Sequence, residues 1–210
     1  MWAMALSLLA FVSAILTIYA DYRKRQGLFY VCKPLTMLLI ILIAFQAKQS
    51  VEPFYLYMIL IGLLFSLAGD IFLMLPDDRF IAGLASFLVA HICYLVAFSR
   101  GTALISSPWA LILLLLYGAV MFRVLLPHLD KMKSPVLMYN LVIVMMVWRA
   151  WERSSQVPGM GTRLACVGAI LFLISDSALA LNRFVAKYKG AQALILGTYF
   201  AAQWLIAMSA

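Results

Sequence analysis

Charged residues are scarce in this chain of 210 residues, and their scarcity excludes most soluble folds. Asp, Glu, Lys and Arg make up 11% of the sequence, whereas hydrophobic residues make up 66%. Soluble domains carry about 25% charged and about 45–50% apolar residues. We therefore expect an integral membrane protein without room for a soluble domain.

Cysteine and histidine are also scarce, with three and two copies. Cys32, Cys93 and Cys166 are each isolated in or beside an apolar segment, and none has the CxxC or Cys/His spacing of a metal site. The net charge of +8 lies almost entirely in short loops. No basic helix or basic groove with interleaved aromatic residues is present, so we expect no nucleic-acid partner.

Eight apolar segments follow one another with short connections. Each is close to the length of about 20 residues that a transmembrane helix needs, and runs such as LILLLLYGAV lack the period-two alternation of a barrel strand. We predict an all-α membrane protein in which residues 1–210 form one domain, a bundle of eight transmembrane helices. The predicted spans are residues 2–20, 29–47, 53–75, 80–98, 103–126, 135–151, 161–181 and 191–208.

Only two of the eight acidic residues, Asp70 and Asp176, fall well inside a span. An ionisable side chain in a span is costly and normally faces the bundle interior or a cavity, which indicates function. With a rise of about 1.5 Å per residue, Asp70 lies roughly 7–8 Å and Asp176 roughly 10 Å from the same membrane face. Asn140 in span six is expected at a similar depth.

Other polar residues lie on single helical faces. His91 and Tyr94 share one stripe of span four, and Tyr199 and Gln203 share one stripe of span eight. We expect these stripes to face the two aspartates.

The two aspartates are 106 residues apart, each in the third span of a set of four. Arg79 and Arg183 follow them with an offset of 104 residues. We hypothesise two parallel four-helix halves, since an even number of spans per half gives repeats of the same orientation.

The motifs Gly69-Asp70 and Ser175-Asp176 are the most specific features of the sequence. Together with weaker matches along the whole chain, they resemble the YhhN family of lysoplasmalogenases. The weaker matches are Arg79-Phe80, Gly83, Phe87, His91, Tyr94, Phe172, Arg183-Phe184, Tyr199 and Gln203. The resemblance implies an eight-span enzyme that hydrolyses the vinyl ether bond of lysoplasmalogens to a fatty aldehyde and glycerophosphoethanolamine or glycerophosphocholine. The two membrane aspartates of that family correspond to Asp70 and Asp176.

Vinyl ethers hydrolyse by protonation of carbon, which leaves an oxocarbenium ion that water then attacks. This chemistry needs one carboxylic acid and one carboxylate, the pair that glycosidases use. Burial and a nearby like charge both favour the protonated carboxyl that an acid requires. We expect Asp70 and Asp176 to divide these roles, with no metal and no cofactor; the sequence leaves the division open, and we favour Asp176 as the acid and Asp70 as the carboxylate. The predicted substrate-binding residues are His91, Tyr94, Asn140, Ser175, Tyr199 and Gln203, with Arg79 and Arg183 at the phosphate.

Three alternatives remain open from the sequence. Intramembrane Asp and His also form proton relays, so a proton-coupled transporter of a small or lipid-like solute is the main alternative. A metal-dependent lipid hydrolase is disfavoured because only His91 lies in a span. A purely structural protein would leave the two aspartates unexplained. The expected partners are a lysophospholipid and membrane lipid, and nothing indicates an oligomeric state.

The distribution of basic residues predicts the orientation. The connections after spans one, three, five and seven, with the residues next to them, hold 11 of the 16 Lys and Arg residues, and such residues favour the cytoplasmic side. We expect both termini outside the cytoplasm, in a bacterial inner membrane. A reporter fused after Ala210 should therefore be active outside the cytoplasm, and cytoplasmic activity would reverse the assignment.

Overall fold

A computed structural model describes residues 2–46, 52–77, 79–103 and 105–210. Eight α-helices lie in this part of the chain, and each is long and apolar enough to cross a membrane. The predicted all-α, eight-span membrane fold is thus confirmed. The helices α1 to α8 are Trp2–Tyr22, Gln26–Gln46, Pro53–Met74, Phe80–Ser99, Pro108–Leu125, Lys133–Gln156, Met160–Ala180 and Ala191–Met208.

Three helix boundaries differ from the predicted ones for identifiable reasons. Helix α5 begins at Pro108 rather than 103, because proline suits the first helical turn. Helix α2 begins three residues early, at Gln26, so that Lys33 lies about two turns from its start rather than about one. Helix α6 continues five residues beyond 151 to Gln156, because its polar end is buried against a loop.

The loop between α4 and α5 is held by two charged residues of α6. The Arg149 guanidinium donates to Ser99 Oγ at 3.1 Å and to the carbonyl of Ala103 at 3.0 Å. One turn later, Glu152 accepts from the backbone N–H of Ser107 at 2.8 Å. Because these charges bind backbone groups of the loop that would otherwise lack a partner, the α6 helix continues through residues that resemble a loop in sequence.

Close helix contacts depend on glycine at two matching places. Gly62 of α3 lies under the ring of Tyr94 on α4, where no β-carbon would fit. Gly168 of α7 faces the backbone of α8, and a β-carbon there would be 2.9 Å from the carbonyl oxygen of Ala202. Small residues allow this approach in membrane bundles. The α3–α4 and α7–α8 pairs are consequently the most closely packed.

Several neighbour relations of the helices repeat after four helices. Helix α3 packs along α4 as α7 packs along α8, and α2 contacts α3 as α6 contacts α7. The two sets also meet in equivalent ways, since α2 contacts α8 and α6 contacts α4. This pattern is consistent with the hypothesis of two parallel four-helix halves, which stays a prediction.

Candidate active site

Asp70 lies in the interior of the bundle and is bound by two other helices. Its side chain is 2% exposed. The Lys33 ammonium of α2 is 2.9 Å from Oδ1, and the Tyr199 hydroxyl of α8 donates to Oδ2 at 2.6 Å. An isolated carboxylate would be very costly at this depth, so the ion pair and the phenol compensate for the loss of water.

Lys33 was not among the predicted site residues. It stands near the start of the second apolar segment, where a lysine usually anchors a helix end at the membrane surface. In the structure, this side chain is instead buried beside Asp70, and only 8% of it is exposed. One signal in the sequence could have found it, because Lys33 precedes Tyr139 by the same 106 residues that separate Asp70 from Asp176.

Asp176 has different partners and is more accessible, with 13% of its side chain exposed. The Tyr139 hydroxyl of α6 donates a short hydrogen bond to Oδ2. The His91 Nε2 atom lies 3.7 Å from the same oxygen. Asp70 therefore faces an ammonium, whereas the corresponding position beside Asp176 is held by a phenol.

Aromatic rings pack against the tyrosine that binds Asp70 and the histidine beside Asp176. Phe172 forms edge contacts with Tyr199 at 5.5 Å and with His91 at 4.5 Å between ring centroids. Phe87 of α4 completes the group, at 5.8 Å from the ring of Tyr199. Such edge-to-face packing fixes the rings and so fixes the phenol that binds Asp70.

Two adjoining cavities meet at Asp176. The polar cavity has a volume of about 240 Å³ and is lined by both aspartates, Lys33, Arg79 and Arg183 among others. The apolar cavity is smaller, about 60 Å³, and lies among α4, α5, α6 and α7. Asp176 belongs to the wall of both, together with Leu73, Phe80, Phe87 and Leu179.

The predicted substrate-binding residues fall into two groups. Ser175, Tyr199, Arg79 and Arg183 line the polar cavity, and Asn140 lines the apolar one. Their contact with substrate stays a prediction. Within these walls, the Ser175 hydroxyl donates to the carbonyl of Ile195 at 3.0 Å, and the Asn140 amide donates to the carbonyl of Gly118 at 2.9 Å.

The other three predicted residues lie behind the cavity walls. His91, Tyr94 and Gln203 are completely buried and are not among the lining residues. The Tyr94 hydroxyl donates to Gln203 Oε1 at 2.8 Å, and His91 packs behind Asp176. The helical stripe indicated the inward face, but the ring of Phe172 packs against the rings of His91 and Tyr94.

Comparisons with known proteins identify the relatives of this chain. Residues 28–210 match the model of the YhhN family. The "Uncharacterized membrane protein YhhN" of Escherichia coli O157:H7 is 32% identical over 199 residues, 94% of each chain. "Lysoplasmalogenase TMEM86A" of Bos taurus is 37% identical over 158 residues, which cover 72% of this chain and 64% of that protein. "Lysoplasmalogenase TMEM86B" of Homo sapiens is 34% identical over 150 residues, 71% of this chain and 61% of that protein. No solved structure shows significant similarity to the chain.

The buried ion pair predicts non-additive effects on stability. Lys33→Met or Asp70→Asn alone should each lower the free energy of unfolding by about 3–5 kcal/mol, because each leaves a buried group without its partner. The double variant should lose much less free energy of unfolding than the sum of the two single-variant losses. Thermal unfolding in detergent measures all three variants.

The exposed pair of Arg100 and Glu52, with 3.1 Å between Nε and Oε1, is the matched control. Its double-mutant cycle should give a coupling of about 0–1 kcal/mol. Additive losses at Lys33 and Asp70 would contradict the strong buried interaction.

Proposed function

The chain belongs to the YhhN family, and on that premise we propose that it hydrolyses the vinyl ether bond of lysoplasmalogens, releasing a fatty aldehyde and glycerophosphoethanolamine or glycerophosphocholine. The observation that carries the proposal is the pair of aspartates with unlike partners on one cavity. Two relatives named lysoplasmalogenase, at 34–37% identity, support the same reaction.

The reaction requires a proton at carbon before the ether bond breaks. The acid protonates the vinyl carbon distant from oxygen, and the carbon bonded to oxygen becomes part of an oxocarbenium ion. Water adds to that carbon and loses a proton. The resulting hemiacetal then loses its hydroxyl proton and breaks its bond to the glycerol oxygen, which takes up a proton, and the aldehyde is released.

We assign the proton donor to Asp176. It stands where the polar and apolar cavities meet, so its carboxyl can reach a bond located between a headgroup and a hydrocarbon chain. Tyr139 occupies Oδ2 and thereby fixes the carboxyl plane. Oδ1 is then the oxygen that carries and delivers the proton, while His91 packs behind the carboxyl as a positioning residue.

We assign the carboxylate that faces the developing cation to Asp70. The Lys33 ammonium supports a negatively charged Asp70, and the Tyr199 hydroxyl orients it. Preorganised charge next to a forming cation lowers the barrier because no reorganisation of solvent is needed. Asp70 can also accept the proton that the attacking water releases. Neither assignment uses a metal, and metal independence is part of the proposal.

The cavities suggest how the substrate is placed. The first carbons of the alkenyl chain enter the apolar cavity, and Asn140 lies at its wall. The glycerol and phosphate occupy the polar cavity, whose mouth carries Arg79 and Arg183. Both arginines belong to the basic side of the bundle, so we place the mouth at the cytoplasmic face, in a bacterial inner membrane.

Asp70→Asn and Asp176→Asn should each lower the rate of aldehyde release by at least about 100-fold, because each removes one half of the acid–base pair. Aldehyde formation from a purified variant and a lysoplasmalogen measures the effect. The matched control is Asp130→Asn, since Asp130 is exposed and lies outside both cavities. Its rate should not change.

The saturated ether analogue separates this reaction from other activities. It should give no aldehyde with any variant, because it has no double bond to protonate. Undiminished turnover by either cavity variant would refute the two-carboxylate mechanism. Inertness of the unsubstituted protein toward the lysoplasmalogen itself would favour the transporter alternative.

Deuterium oxide gives a second test of proton transfer to carbon. In this solvent, the aldehyde should carry one deuterium on the carbon adjacent to the carbonyl, and turnover should slow several-fold because proton transfer limits the rate. Mass spectrometry and initial rates measure both effects, with a chelator present to test metal independence. An aldehyde without deuterium would show that the bond breaks by another route.

A further inference from the structure

Lys33 lies in the wall of the polar cavity as well as in the ion pair with Asp70. Its Nζ atom is 2.9 Å from Oδ1, and its side chain is only 8% exposed. An ammonium has three N–H donors, and Asp70 is the one oxygen partner that we find for it in the described parts of the chain. A donor therefore remains for an acceptor that enters the cavity beside Asp70.

The charges in the wall of the polar cavity favour an anionic ligand. If Asp176 is the proton donor, it carries no charge before the reaction. Within the wall, three cations then face two carboxylates, while Asp77 pairs with Arg79 at 3.6 Å from outside the wall, so Lys33 and Arg183 are the cations that a phosphodiester in the cavity can meet. The charged residues in this wall are Asp21, Lys33, Asp70, Arg79, Asp176 and Arg183.

Lys33 is better placed than the two arginines to fix the reacting bond. The Arg79 side chain is 54% exposed and meets Asp77 at 3.6 Å, a surface pair that water screens. The Arg183 guanidinium stacks on the ring of Phe80 at 4.9 Å, in the turn that follows α7. Lys33 joins a cationic donor directly to Asp70, at the centre of the proposed site.

We propose that Lys33 is the buried anchor for the phosphodiester of the substrate and that it links phosphate binding to the position of Asp70. The proposal rests on the proposed function and names the residue that selects vinyl ethers with a glycerol phosphodiester over those without one. Lysine binds phosphate as a point charge and can hold two acceptors at once. Phosphate and vinyl ether occupy opposite ends of one glycerol. A phosphate bound at Lys33 therefore limits how far from Lys33 the vinyl ether bond can lie.

The test compares two substrates that differ only in the phosphodiester. These are a lysoplasmenylethanolamine and the 1-alkenylglycerol with the same chain, assayed with the full-length protein in detergent. The unsubstituted protein should prefer the phosphodiester by about 10- to 100-fold in kcat/KM, the effect of one charge-assisted hydrogen bond. Lys33→Met should lose that preference, mainly through a higher KM for the phosphodiester, and Lys33→Arg should retain part of it.

Lys133→Met is the matched control, because Lys133 is exposed at the start of α6 and lies outside both cavities. It should keep the full preference. Equal kcat/KM for both substrates in the unsubstituted protein would overturn the proposal. A decrease in kcat/KM in Lys33→Met that is equal for both substrates would also overturn the proposal, since a merely structural role predicts that result.

A binding measurement separates this proposal from the proposed function. Saturated ether lysophosphoethanolamine should bind the unsubstituted protein about 10- to 100-fold more tightly than the matching alkylglycerol. If Lys33→Met loses this difference in affinity, Lys33 is supported as the phosphate anchor, even if the protein forms no aldehyde. If Lys33→Met does not fold, Lys33→Met/Asp70→Asn replaces it in this measurement. Persistence of the difference in the variant used would overturn the assignment to Lys33.

Discussion

The ion pair of Lys33 and Asp70 is the interaction on which the rest of the site depends. A carboxylate cannot be held in the interior of a membrane bundle without an opposite charge and hydrogen-bond donors. Lys33 supplies the charge from α2, and Tyr199 supplies a hydroxyl from α8, so one side chain of α3 fixes three helices. Since α8 belongs to the second set of four helices, the same carboxylate joins the two sets.

The two aspartates occupy matching positions but receive unlike partners. Lys33 and Tyr139 are separated by 106 residues, as Asp70 and Asp176 are, and each contacts the aspartate of its own set. A repeated frame would by itself give two equal carboxyl groups. The exchange of an ammonium for a phenol makes them unequal, and acid–base catalysis with two carboxyl groups requires that difference.

The sequence predicted those features of the molecule that depend only on whether a side chain favours water or hydrocarbon. Long apolar runs define the spans, and a carboxyl within such a run is expected to face the interior, so the eight helices and the inward position of Asp70 and Asp176 could be predicted. Lys33 was missed, because a lysine near a span end normally anchors that end. The end of α6 was also missed, since Glu152 resembles a loop residue until its backbone partners are known. Periodicity shows which face of a helix points inward but not which side chains of other helices cover that face. For this reason His91 was expected in the cavity wall.

The junction of the two cavities bears on how the reacting bond is selected. In a lysoplasmalogen, the vinyl ether lies between the polar glycerol and the hydrocarbon chain. Asp176 lies between a polar and an apolar cavity. In the proposed reaction, binding of the polar end of the substrate in one cavity and of its hydrocarbon chain in the other therefore places the vinyl ether bond next to the acid. A saturated ether would align equally well, since its shape and polarity are almost the same. Discrimination against it must then come from the chemical step, because only the vinyl ether becomes a stabilised cation when a proton is added to carbon.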